Sequence, residues 1–190
     1  SVAFLMEHEH FTYPEAIRYL AKKYNIEIEE DAQRTPEQDE ANNEREAIYL
    51  ISEFAQKFYA EQLQTDEGKR LGLSYFRERG FTDETVEKFE LGYAPLQKDV
   101  FAKTALEKGY SADVLLASGI SLQRENKGWY DRFWGRVMFP IHSISGRILG
   151  FGGRVLNTDA KTAKYLNSPE NPIYHKSKIL FGLFQARKAI

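Results

Sequence analysis

Apolar residues in this chain recur at helical spacing as far as about Gly119 and at alternate positions after about Arg136, and no single kind of secondary structure satisfies both periods. In AIYLISEFAQKFYAEQL, Ala47, Ile51, Phe54, Ala55, Phe58 and Tyr59 share one helical face, which predicts a helix over about Asn43–Leu63. In GRVMFPIHSISGRILGFGGRVL, Val137, Phe139 and Ile141 alternate to one face, Ser145 and Gly146 mark a turn, and Ile148 restarts an extended run. That pattern predicts a β-hairpin, with Pro140 at an edge or a bulge. Gly150, Gly152 and Gly153 call for close approach of another strand or a ligand. The expected fold is therefore α+β, with a helical, acidic amino-terminal part and a small twisted, mainly antiparallel sheet in a basic carboxy-terminal part.

Shorter helices are expected over Lys69–Arg79, ending at Gly80; over Asp83–Glu90, capped by Thr82; over Asp99–Lys108; and from Ser111 to near Gly119. FELGYAP reads as extended. Upstream, Thr12, Pro14 and Glu15 open an amphipathic helix that runs to about Tyr24, with its apolar face in need of a partner. The acidic segment EIEEDAQRTPEQDEANNERE, interrupted by Pro36, reads as a linker. KYLNSPENPIYHK is irregular, and LFGLFQARKAI restarts a helix.

The net charge of -2 conceals an asymmetry: residues 1–121 carry 14 Lys or Arg against 24 Asp or Glu, whereas residues 122–190 carry 12 against 4. A basic segment interleaved with Trp129, Tyr130, Phe133, Trp134, Phe151, Tyr165 and Tyr174 suits a polyanion with stackable bases. The alternative is that its cations are neutralised internally by the acidic half. With 42% hydrophobic residues the chain is outside the disordered class, and no apolar run reaches the roughly 18–20 residues of a membrane span. The lack of cysteine excludes disulfides, thiolate nucleophiles and cysteine-ligated metals, and fits a reducing, cytoplasmic compartment.

Few residues carry obvious chemistry. His8 and His10 have no third ligand at a metal-binding spacing, His142 reads as a sheet-surface residue, and His175 beside Lys176 is a candidate phosphate contact. GFGGR lacks the Lys-Ser/Thr ending and the strand-to-helix setting of nucleotide-binding loops. Yet Arg154, Lys164, Tyr165 and Asn167 follow in quick succession and offer phosphate charge, a stacking ring and an edge hydrogen bond. Residues 122–190 contain only Glu125, Asp131, Asp159 and Glu170 as acids, too dispersed for the metal cluster of nucleotidyl transfer, and no Ser/His/Asp arrangement is present.

Taken in order, AIYLISEFAQKFYAEQL, YFRERGFTDETVEKFELGYAP, YDRFWGRVMFPIHSISGRILGFGGRVL and KYLNSPENPIYHKSKILFGLFQARKAI resemble the bacterial DnaG-type DNA primases, RNA polymerases that make the primers for DNA replication. RVMFPI, GFGGR and KYLNSPE at these spacings are the specific part. The resemblance implies three regions: 1–28 as the end of a zinc-binding domain, 29–43 as a linker, and 44–190 as the amino-terminal subdomain of the polymerase region. It implies nucleotide binding by Lys164, Tyr165, Asn167 and Lys176, and DNA binding by Arg136, Arg154, Arg132 and Arg147. It places no catalytic or metal residue here. Magnesium or manganese belongs to a following TOPRIM domain and zinc to the zinc-binding domain, so this segment alone is expected to be inactive. The implied partners are single-stranded DNA template, ribonucleoside triphosphates and, through a further carboxy-terminal domain, the replicative helicase at the replication fork of the primosome, with no membrane. Trp134 stands where many members carry a charged residue. The rival readings are a non-catalytic single-strand-binding module and a structural domain docking on an acidic partner.

Overall fold

The longest helix runs from Pro36 to Gln64 and buries Ile48, Ile51, Ser52, Ala55, Phe58, Tyr59 and Leu63 along one face, as the helical period of that stretch requires. Its start differs from expectation. Pro36 does not break the helix but opens it, because the first helical position needs no backbone donor, and Glu37 and Asp39 lie favourably in the first turn. The helix thus reaches back into the segment read as a linker. The computed structural model describes Val2, Met6 and residues 13–24, 36–124, 128–156 and 163–187.

Upstream lies helix α1 (Tyr13–Tyr24), with Ala16 and Ala21 buried, and the long helix is α2. A broken helical run follows: α3 (Asp66–Gly68), a π-helical turn (Lys69–Leu73) and α4 (Ser74–Glu78). Next come α5 (Asp83–Lys88), capped by the Thr82 side chain, and α6 (Val100–Glu107). Helix α7 (Ala112–Ser118) is capped by Ser111 and ends at Gly119 in the left-handed region. Near the carboxy terminus is the short α8 (Leu183–Ala186).

The main sheet has four antiparallel strands in the order β1-β4-β5-β6: β1 (Gly92–Ala94), β4 (Arg136–His142), β5 (Ile148–Val155) and β6 (Tyr165–Asn167). Together with the helices this is an α+β fold. β1 ends with Gly92 opposite Met138, so Pro140 faces no strand on that side, and its missing N–H breaks no ladder. β4 alternates between two cores. Met138 joins Phe58, Tyr59, Phe101, Phe133 and Phe151 beneath α2, while Val137 joins Phe76, Val86, Leu91 and Tyr93 on the opposite face.

A second, two-stranded sheet, β2 (Ser121–Arg124) and β3 (Gly128–Asp131), has no counterpart in the sequence expectations. Asp131 fastens it to the core. Its carboxylate accepts the N–H groups of Phe101 (2.8 Å) and Ala102 (3.0 Å) at the start of α6, and the Ser121 hydroxyl (2.8 Å). Asp99, the residue adjoining that helix, turns instead to Lys103 at 2.7 Å. His142 also departs from expectation: its ring is 3% exposed, stacked on Phe184, with Nε2 2.7 Å from Glu90 and Nδ1 3.0 Å from Gln185. It pins the α8 segment to the sheet rather than facing solvent. His8 and His10 lie outside the described residues.

Burial pushes the Asp131 carboxyl up from 3.8 to about 6, against the downward pull of its three hydrogen bonds. Between those two values the folded state holds the proton more tightly than the unfolded state, so stability should fall as the pH rises through this window. Asp131→Asn should abolish that pH dependence and cost about 1–3 kcal/mol, because an amide cannot accept at both positions. Thermal melts of both proteins from pH 4 to 7 check the sign and the size.

Candidate nucleic-acid interface

The face of the sheet beside β6 is open because β5 carries little side chain there. Gly152 and Gly153 line a cavity of about 390 Å³ together with Phe139, Tyr165, Asn167 and Lys176. Tyr165 and Asn167 are two apart on β6 and so project to the same side, paired in register with Arg154 and Gly152. Lys176, exposed, arrives from the irregular segment after the sheet and leads a 3₁₀ turn. Among the described residues, no carboxylate lines this cavity. It combines an exposed ring, an amide and an ammonium around an apolar floor, a set that can hold a base and a phosphate together.

The other expected site residues divide by what their side chains already do. Lys164 is exposed but does not line the cavity, and it sits one residue before β6. Arg154 is 6% exposed, and its Nη1 donates to the Tyr165 hydroxyl at 2.6 Å. Arg136 is equally buried and acts as a strut, donating to the carbonyls of Ala163 (3.0 Å), Gly153 (3.4 Å) and Lys164 (3.5 Å). Arg132 donates from Nε to the Gly119 carbonyl at 2.9 Å. Burial lowers the pKa of Arg132 and of Arg136 below the ordinary arginine value.

Arg132 and Arg136 line a second, smaller cavity of about 260 Å³ with Leu122, Tyr130, Trp134 and Ala163. At its margin Lys98 lies 4.7 Å from the Trp134 ring and Arg124 4.3 Å from the Tyr130 ring, while the indole N–H of Trp134 donates to the Tyr130 hydroxyl. Where many relatives were expected to carry a charge, Trp134 thus recruits one from Lys98. Neither Lys98 nor Arg124 stood out in the sequence, since both belong to local stretches without a motif.

Arg147 is not brought to this face. It donates to both carboxylate oxygens of Glu46 (2.8 and 3.0 Å), lies 3.6 Å from Glu53, and covers the Tyr49 ring. These bonds tie the β4–β5 turn to α2 and hold the Glu46 carboxyl below its ordinary pKa. Among the described residues, it is the only Lys or Arg of residues 122–190 paired with a carboxylate. His175 contacts Glu170 at 3.3 Å. Also among the described residues, no group of three or more His, Asp or Glu is placed to hold a metal ion.

The model of the DNA primase catalytic core, N-terminal domain, matches residues 58–187. The chain belongs to the DNA primase family. A DNA primase of Halalkalibacterium halodurans is 40% identical over 188 residues, covering 98% of this chain and 31% of that protein. A solved DnaG primase catalytic domain bound to single-stranded DNA shares 35% identity with a TM-score of 0.72, over 78% of this chain and 47% of its own. The Aquifex aeolicus primase, solved with its zinc-binding and RNA polymerase domains, shares 29% identity with a TM-score of 0.66, over 96% of this chain and 42% of its own. The chain spans 27–32% of the length of the curated primases it matches. Among its described residues no helix is long and apolar enough to cross a membrane.

The placement of Arg147 gives a test. Arg147→Ala should lower stability by roughly 0.5–1 kcal/mol, as for a partly exposed bidentate pair, and leave binding of single-stranded DNA unchanged. A melting curve and a DNA titration of the same variant check both halves.

Proposed function

We propose that this chain is the template- and nucleotide-binding part of a DNA primase. The observation that carries the reading is the cavity on the β5–β6 face, with no carboxylate among its described lining residues, where Tyr165, Asn167 and Lys176 meet beside Arg154. In primer synthesis a 3′-hydroxyl attacks the α-phosphate of the next ribonucleoside triphosphate, forming a phosphodiester as the bond to the β-phosphate breaks and pyrophosphate leaves. The residues named here bind and orient: Tyr165 stacks on a base, Asn167 offers an amide to a base edge or a sugar, and Lys176 and Arg154 hold phosphate oxygens. Lys164 and the Arg132–Arg136 cavity would extend the strand's path along the same basic region. A solved relative bound to single-stranded DNA supports this choice of ligand. The divalent ions and zinc implied by the resemblance are assigned no residue of this chain, and association with the replicative helicase would use segments other than those described.

The electrostatics favour the reading over internal neutralisation. Were the cations of residues 122–190 balancing the acidic helices, several should be paired, yet among the described residues only Arg147 is.

Single-stranded DNA should bind with an affinity that falls steeply as salt rises, by a logarithmic slope of about -0.7 per phosphate neutralised. Arg154→Ala and Lys176→Ala should each reduce that slope by roughly one-phosphate's worth. Titrations at several salt concentrations measure it. Unchanged slopes with lowered melting temperatures would show that these side chains only hold the fold.

A further inference from the structure

Arg154 is a cation without a counter-ion. Its side chain is buried, no carboxylate pairs with it among the described residues, and its Nε–H is shut off from solvent with no acceptor. A buried charge in that state is costly, and two aromatic rings and one neutral hydroxyl acceptor offset the cost. The guanidinium carbon lies 5.3 Å from the centroid of the Tyr75 ring and 5.0 Å from that of Tyr165, so the group is held between two rings. The two rings are not equivalent. Tyr75 is half-buried on α4, beside the fully buried Phe76. Tyr165 is 64% exposed on β6, the edge strand, and covers the guanidinium from outside with its Oη accepting from Nη1 at 2.6 Å.

We propose that Tyr165 is a lid over Arg154, and that single-stranded nucleic acid opens it: the ring swings out to stack on a base while the guanidinium it uncovers takes a phosphate diester of the same strand. The proposal rests on the reading of this face as the nucleic-acid surface. An exposed side chain on an edge strand can change rotamer without moving the backbone. The exchange replaces one neutral acceptor with an anion that guanidinium binds in a bidentate fashion, and it turns a ring resting on a cation into a ring resting on a base. Neither half of the exchange is favourable alone, since opening without phosphate strands the cation and opening without a base gives up the ring's contact with the cation and its hydrogen bond. The lid therefore couples recognition of base and phosphate in one step. Tyr75 stays in place as the back wall and is a positioning residue for Arg154.

The test compares binding of an oligothymidylate of about ten nucleotides, a length in the range of single-strand sites, by the wild-type chain, Tyr165→Phe and Arg154→Ala at several salt concentrations. Tyr165→Phe keeps the stacking ring and removes only the bond that holds the lid shut. Affinity should therefore rise about threefold or more with the salt slope unchanged. In parallel, the Arg154 Nε–H resonance of the ¹⁵N-labelled wild-type chain should shift on addition of the oligonucleotide. Unchanged or weaker binding by Tyr165→Phe, or an Nε–H resonance that stays fixed at saturation, overturns the lid. If the salt slope still drops by one phosphate in Arg154→Ala, the binding surface stands while the lid fails. If Arg154→Ala leaves the slope unchanged, the surface on which the lid rests is itself wrong. Should Tyr165→Phe disturb folding, the wild-type resonance decides alone.

Discussion

The structure depends on the missing side chains of β5. A Cβ on Gly153 would sit 2.8 Å from the Phe133 ring and 3.0 Å from Cδ of Arg136, and a Cβ on Gly150 would sit 3.0 Å from the Ser168 side chain. Bare backbone at the first position lets Arg136 lie flat and reach the carbonyls of residues 163 and 164; at the second it lets the Ser168 hydroxyl accept the N–H of Phe151 at 2.9 Å. The two contacts hold β6 from both ends. Its position in turn sets Asn167 opposite Gly152 and Tyr165 opposite Arg154, on the edge of the cavity. Packing and binding thus share one constraint, and a methyl group on β5 would act on the site by displacing β6.

Charge is distributed with the same division of labour. Among the described Lys and Arg of residues 122–190, Arg147 alone pairs with carboxylates of the acidic half, and it does so at the hairpin turn, away from the cavity. Arg132 and Arg136 are held by carbonyl oxygens and Arg154 by aromatic rings and a hydroxyl, which keep a guanidinium in place without cancelling its charge. The field of residues 122–190 is therefore left for an external anion, while the acids of α2 and α5 stay on the helical side.

Much of this was legible in the sequence, and for identifiable reasons. The buried face of α2, the caps at Thr82 and Ser111, and the β4–β5 hairpin follow from local periodicity and side-chain chemistry, so they are found where the pattern places them. The start of α2 was misread because proline is excluded from helix interiors but welcome at the first position. The β2–β3 sheet went unseen because Gln123 and Arg124 are exposed and polar, with no alternation to read. Long-range partners were out of reach. The Arg147–Glu46 pair spans 101 residues, and the Asp131 cap of α6 spans 30 and 29. Arg154 stood out in the sequence, but its contact with Tyr75 could not, since the two lie in halves of opposite charge and different period. Tyr165 and Asn167 stood out by their residue types and Lys176 by likeness to a family, and only the fold brings the three to one cavity.

The central claim is that the strand meets this protein over the β5–β6 face, and photocrosslinking tests it most directly. Short single-stranded DNA carrying one 5-iodouracil forms covalent adducts with aromatic rings stacked on that base, and peptide mapping identifies the ring. The account predicts Tyr165 as the principal adduct, lost at high salt and reduced in Lys176→Ala. Principal adducts on Tyr49, in α2, or on Tyr110, packed against it, would contradict it.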